Sequence, residues 1–357
     1  MGEIVSREFA QFVEARRLGG VVGYDHGDAD LAHDVVGSRN HGHFHDPGMT
    51  DQDRFDATRQ TIVTADARRY VRAVDEQYDV IVADLFHPAR DGSGSLYTLE
   101  HFEAVRARLA PDGLFCQWLP LYQLEPEVLK VIVRTFLEAF EETEGFLADF
   151  NTRQPVLGLV GRAAALTRGP QWYEERVQDG ELFAALDRVA LRNGYQVLGC
   201  YLGDGPALAA FAGDGPLNLD DRPLVTYLAP RLVYARVAPA QENLRALIGL
   251  DREASKLLDV TDPAGAEAAQ HLQRYWVARN YYLEGQLAET NDERLELLLA
   301  SVAASPIFAT SYHILLQDVA NEASAQPVVA RALLDALIRS HPHRPEARQL
   351  RSELFGY

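Results

Sequence analysis

The sequence predicts an α/β protein, a doubly wound parallel sheet through most of the chain followed by an all-α domain. Three observations predict it. Between residues 60 and 165, short apolar runs alternate with helical stretches of about 10 to 18 residues. The runs are rich in Val, Ile and Leu nearly end to end, the pattern of strands covered on both faces. Beyond residue 237 strand-like runs stop and helical periodicity takes over.

Length and composition set the frame for these elements. At 357 residues the chain exceeds one small core, and two or three domains are expected. We divide it at 1–60, 61–165, 166–236 and 237–357. Hydrophobic residues make up 47% and charged residues 24%, values ordinary for a globular protein. No apolar run reaches the roughly 18 residues needed to cross a bilayer, and the N-terminal stretch has no signal-peptide core, so a cytoplasmic protein is expected. Cys116 and Cys200 are too few for a disulfide framework or a thiolate zinc site. With 34 Lys and Arg against 52 Asp and Glu, the net charge of −18 disfavours nucleic acid and attracts cations, including small polyamines, besides keeping the chain soluble.

The first 60 residues carry the weakest pattern. SREFAQFVEARR reads as a helix, GGVVGYD as a short strand ending at Asp25, and ADLAHDVV as the next helix. What they lack is a strand followed by a glycine-rich loop, the usual seat of a nucleotide at a helix N-terminus. Gly19 and Gly20 precede the candidate strand, and Gly23 and Gly27 flank its end without a Gly-x-Gly fingerprint. The sheet therefore reads as lacking its first strand and that loop. His41, His43 and His45 alternate as metal ligands on one strand face would, but Gly42, Pro47 and Gly48 favour a solvated loop, and no metal is assigned.

From residue 60 the elements follow in order: QTIVTADA, a strand ending at Asp66; the helix RRYVRAVDEQ; the strand YDVIVADL, ending beside Asp84. A loop rich in Pro, Gly and Ser leads to the amphipathic helix LYTLEHFEAVRARLAPDG with its Pro-Asp-Gly stop, then to the strand LFCQWLPL. The helix EPEVLKVIVRTFLEAF and the strand QPVLGLVGR close this core. Helix and loop fill 165–236, where Asn218, Asp220, Asp221 and Arg222 form a polar cluster read as a turn that satisfies its own backbone. In the tail, one helical unit closes at Pro306 and the next at Pro342, 36 positions on, close to the tetratricopeptide period of about 34. Such a tail would serve protein contact through a concave helix-pair surface.

Asp84 stands where open α/β sheets keep their sites, at the carboxyl edge of a buried strand; it is either a catalytic carboxylate or a strand-end cap. The segment TADARRYVRAVDEQYDVIVADLFHPARDGSGSLYTLEHFEAVRARLAPDGLFCQWLPLYQL resembles the spermidine synthase (polyamine aminopropyltransferase) family. It is similar above all to the branch in which such a domain follows membrane helices, of which this chain shows none; PVLGLVGR and LNLDDRPLVTYLAPR share the likeness. The resemblance implies a Rossmann-type, S-adenosylmethionine-dependent methyltransferase-like fold. It implies an aminopropyl transfer from decarboxylated S-adenosylmethionine, a co-substrate and not a tightly bound cofactor, to a diamine such as putrescine.

By that resemblance Asp84 is the base that deprotonates the amine, and His87 stands where the family carries a second Asp that holds it. Asp66 and Ala67 match a pair that contacts the adenine, although Asp66 also reads as a helix cap. Tyr97 would face the substrate cavity or fill the core, Gln117 would lie near the amine, and Asp25 would stand at the ribose. No metal is required by such chemistry. Two other readings stay open: a methyltransferase using S-adenosylmethionine itself, and a non-catalytic binding protein that has lost the nucleotide loop. A homodimer, or a protein partner on the helical tail, is compatible with each.

Overall fold

The computed structural model describes residues 63, 65–90, 92–162, 180–187, 191–231 and 239–356. The elements expected in the first 60 residues, including Asp25, the His tract and the glycine-loop region, lie outside the described residues. The described chain forms two compact units: one from the described parts of Met1–Leu166, Tyr173–Arg192 and Tyr201–Arg252, the other from Asn193–Cys200 and Glu253–Tyr357.

The first unit opens with helix α1 (Ala67–Ala73) and strand β1 (Tyr78–Ala83), then a 3₁₀ turn at Ser93–Tyr97. Helix α2 (Leu99–Arg106), strand β2 (Leu109–Pro120), helix α3 (Pro126–Ala139), and strands β3 (Glu142–Leu147) and β4 (Val156–Arg162) follow. After α4 (Gly180–Asp187), and with α5 (Gly194–Gly199) belonging to the other unit, come strand β5 (Tyr201–Asp204) and helices α6 (Gly205–Ala212), α7 (Leu224–Leu228) and α8 (Pro239–Ile248).

The five strands among the described residues form one mixed sheet in the order β1-β2-β4-β3-β5. This is an α/β architecture consistent with a Rossmann-like methyltransferase fold. The expected parallel pairing holds for β1 and β2, whereas β4 runs antiparallel to both β2 and β3, and β5 antiparallel to β3. Connection length explains the difference. Only residues 148–155 separate β3 from β4, too few for the crossover a parallel pair needs. Helix α3 supplies a crossover between β2 and β3, and β4 slots between them. Within the short connection, Asn151 Oδ1 accepts from Arg153 N (2.9 Å) and Gln154 N (3.1 Å), a turn built on an Asn side chain.

Residues 113–120 of β2 are all buried, so both faces of the sheet are covered there. On one side four rings form a continuous stack. Phe136 lies 5.2 Å from Phe102, 5.7 Å from Phe115 and 4.8 Å from Phe140 between ring centroids. All four are 0% exposed, and burying each contributes about 1.5 to 3 kcal/mol. Gly161 on β4 makes room for the stack: a Cβ there would sit 2.4 Å from Phe140 Cγ.

In the second unit, α9 (Pro263–Gln286), α10 (Asn291–Ala304), α11 (Thr310–Glu322), α12 (Pro327–Ser340) and α13 (Glu346–Phe355) surround a core that includes Leu298, Tyr312, Leu315, Leu334 and Leu337. Arg279 is fully buried in α9, and its Nη1 donates to the Gly199 carbonyl at 2.7 Å, capping α5. No helix among the described residues is long and apolar enough to cross a membrane.

Candidate functional site

Strand β1 ends at Ala83 because Asp84 leaves the ladder. Its Oδ1 accepts the neighbouring Leu85 N–H at 2.7 Å, leaving the half-buried carboxylate at the carboxyl end of the strand. The parallel register pairs Ala83 with Gln117 and Val82 with Cys116. Gln117 therefore stands on the adjacent strand, one step from Asp84. It is fully buried; Nε2 donates to the Trp118 carbonyl at 3.0 Å, while Oε1 has no partner among the described residues. A buried acceptor left unpaired costs about 1 to 3 kcal/mol, so this amide is poised to accept a hydrogen bond. Burial pushes the Cys116 thiol well above its ordinary pKa, and the nearby Asp84 carboxylate pushes it further, so Cys116 stays an inert thiol beside the site.

The loop after Asp84 places the remaining residues. His87 is exposed, and its Nδ1 accepts the Ala89 N–H at 3.2 Å, which puts the proton of the neutral ring on Nε2. The ring then offers a donor to an amine lone pair, not an acceptor to an ammonium. Tyr97 is 0% exposed, packs edge-on against Phe86 at 6.0 Å, and directs its hydroxyl to the Phe86 carbonyl at 3.5 Å. Burial raises its pKa, so it stays a neutral phenol.

Asp66 caps α1: its Oδ1 accepts Arg69 N at 2.8 Å, and Ala67 is the first helical residue. Arg68 and Arg72, four residues apart on α1, both donate to Asp220 Oδ2, the latter at 3.2 Å. Burial pushes the Asp220 pKa up, but hydrogen bonds from Arg68, Thr98 and Arg72 outweigh it and hold the carboxyl well below its usual range. His101 on α2 is buried near the same arginines. Burial first, then the Arg68 and Arg72 charges, lower its pKa to about 4.

The structure thus sets Asp84 and Gln117 one position apart on neighbouring parallel strands, His87 and Tyr97 in the segment that follows Asp84, and Asp66 and Ala67 at the start of α1. Sequence reading missed Arg68, His101 and the reach of Asn218 and Asp220. The run NLDDR does close its own turn, with Leu219 and Arg222 exchanging backbone hydrogen bonds at 3.1 and 3.2 Å. The backbone and buried side chain of Asn218, however, bind segments more than 80 positions away, and the only signal was four clustered polar residues.

Residues 45–151 match the spermine/spermidine synthase domain, a span that contains Asp66, Ala67, Asp84, His87, Tyr97 and Gln117. The chain is similar to polyamine aminopropyltransferase 2 of Hyperthermus butylicus, with 32% identity over 142 residues, 40% of this chain and 46% of that protein. It is also similar to polyamine aminopropyltransferase of a Synechococcus strain, 34% identical over 97 residues, 27% of this chain and 31% of the relative. Polyamine aminopropyltransferase 2 of Aquifex aeolicus is 28% identical over 88 residues, 25% and 18% of the two chains. The chain spans less than half the length of each of these relatives. These likenesses support a spermidine synthase-like family.

Proposed function

We propose that this chain is an aminopropyltransferase that moves an aminopropyl group from decarboxylated S-adenosylmethionine to a diamine such as putrescine. The observation that carries the reading is the position of the half-buried Asp84 carboxylate at the carboxyl end of β1, beside the parallel strand β2 whose buried Gln117 has an Oε1 without a partner among the described residues. The same pair lies within the segment that resembles enzymes named for this transfer.

In the reaction the amine nitrogen attacks the carbon attached to the sulfonium. The new C–N bond forms as the C–S bond breaks, and sulfur keeps the electron pair and leaves as neutral methylthioadenosine. The amine must first lose a proton, and Asp84 is the base that takes it. Gln117 Oε1 accepts an N–H of the incoming amine and fixes its direction. His87, with Nδ1 held by Ala89, donates Nε2–H to a neutral amine group and disfavours an ammonium once it is protonated. The Asp66–Ala67 start of α1 would contact the adenine, and Tyr97 supports the loop from the core.

Calorimetric titration with decarboxylated S-adenosylmethionine, S-adenosylmethionine and methylthioadenosine, followed by a transfer assay with putrescine, tests this reading. Binding of the decarboxylated donor and release of methylthioadenosine support it. Heat with none of the three ligands sinks it, and methyl transfer from S-adenosylmethionine would replace it.

A further inference from the structure

We propose that residues 218–222 are a strap that holds the two sides of the site in register, Asn218 positioning the loop after Asp84 and Asp220 positioning the helix after Asp66. The inference rests on the transferase reading above for its kinetic consequences, and on hydrogen bonding alone for its structure.

Asn218 is 0% exposed, and each of its four polar groups has a partner on a different element. Its N–H donates to Thr135 Oγ1 on α3 at 2.9 Å, and its carbonyl accepts Leu99 N at the start of α2, also at 2.9 Å. Nδ2 donates to the Gly94 carbonyl in the 3₁₀ turn at 3.2 Å, and Oδ1 accepts Val225 N on α7 at 3.0 Å. A side chain with donor and acceptor on one short stem is needed for the last two bonds. The turn itself is pressed against α7: a Cβ on Gly94 would lie 2.3 Å from Thr226 Oγ1 and 2.8 Å from Thr226 N. The chain between Asp84 and Leu99 therefore ends on an anchor supplied from far along the sequence.

Two residues on, Asp220 holds the other side. It receives Arg68 and Arg72 from α1, and its own N–H donates to the Glu100 carboxylate on α2 at 3.0 and 3.1 Å. Arg68 Nη1 also donates to the Ser95 carbonyl at 3.2 Å, so the arginine that grips the strap also grips the 3₁₀ turn. One five-residue segment thereby ties α1, which begins at the Asp66–Ala67 pair, to the turn that follows Asp84. Rigid placement of that kind sets reaction geometry, and a displacement of about 1 Å can cost 100-fold in rate.

The two anchors make opposite kinetic predictions. Asn218→Ala frees the 3₁₀ turn, and kcat falls by about 10- to 100-fold while the Kd for methylthioadenosine changes by a smaller factor. Asp220→Asn loosens α1 and weakens methylthioadenosine binding by a larger factor than it lowers kcat, an effect that shrinks as salt is raised because the ion pairs are partly exposed. A merely structural role would lower both quantities by the same factor in both variants, and that result overturns the proposal. Hydrogen–deuterium exchange separates this inference from the transferase reading. In Asn218→Ala the Leu99 and Val225 amides exchange at least tenfold faster while α9–α13 are unchanged. Unchanged exchange at those two amides refutes the strap whether or not the wild type turns over. If Asn218→Ala does not fold, the milder Asp220→Asn decides by the same measure at the Asp220 and Arg69 amides.

Discussion

Replacing Asp84 by Asn removes the charge and keeps the shape, which makes it the sharpest test of the proposed base. Asn retains an oxygen at the Oδ1 position, so the 2.7 Å bond from Leu85 N survives and the end of β1 keeps its geometry. Asp84 is only half-buried, and the expected change in unfolding free energy is within about 0.5 kcal/mol. What disappears is the proton acceptor. Loss of a positioned general base lowers kcat by about 10²- to 10⁴-fold, or about 2.7 to 5.4 kcal/mol of barrier. The defect should narrow as pH rises towards about 10, where alkyl amines lose their proton to solvent and need no base. Cys116 gives an internal control: its thiol loses the Asp84 charge but keeps the larger effect of burial, so it stays unreactive to thiol reagents. The assay is release of methylthioadenosine from decarboxylated S-adenosylmethionine and putrescine between pH 7 and 10, with calorimetric Kd and thermal melting on the same preparations. A kcat within twofold of wild type refutes the assignment. So does a loss of rate matched by an equal loss of nucleoside affinity, because that would place Asp84 in binding and not in proton transfer.

Other predictions address the scaffold. Gly161→Ala puts a Cβ 2.4 Å from Phe140 Cγ and should cost about 1 to 3 kcal/mol, seen as a lower urea midpoint; an unchanged midpoint would mean the ring stack has slack. Phe136→Ala empties the centre of the four-ring stack and should cost about 3 to 5 kcal/mol by the same measurement. His101, with a folded pKa near 4 against 6.5 in the unfolded chain, binds its proton more readily when unfolded. Its contribution is therefore complete above pH 6.5 and is lost as pH falls towards 4, on the order of 3 kcal/mol. His101→Leu should flatten the slope of unfolding free energy across that window, and an equally steep slope in the variant would remove His101 as its cause.

The core of the α/β unit was legible because its signals are local. YDVIVA and LFCQWLP are apolar on both faces, and PEVLKVIVRTFLEA carries a helical stripe with Pro at its start; each declares its state within a few residues. β3 escaped notice because ETEGFL mixes two glutamates, a Thr and a Gly into its strand, and Glu144 reaches Arg162 on β4 (3.8 Å) to offset its charge. The antiparallel turn of the sheet was missed for a related reason. It depends on the short span 148–155, which is evident only once both flanking strands are known.

For the site, the sequence by itself determined which groups stand at the end of a strand. Asp84 ends one apolar run and Gln117 lies within the next; periodicity places both on strands, and their roles come only from the family resemblance. Only the tertiary structure decided that these two are neighbours, since the register Ala83–Gln117 comes from pairing between strands. It also decided that His87 has spent Nδ1 on Ala89, and that Asn218 and Asp220 reach α1, α2, α3 and the 3₁₀ turn. Hydrophobic period and turn chemistry act over a few residues and are written in sequence. Hydrogen bonds across more than 80 positions depend on where every intervening element packs, and no local pattern encodes them.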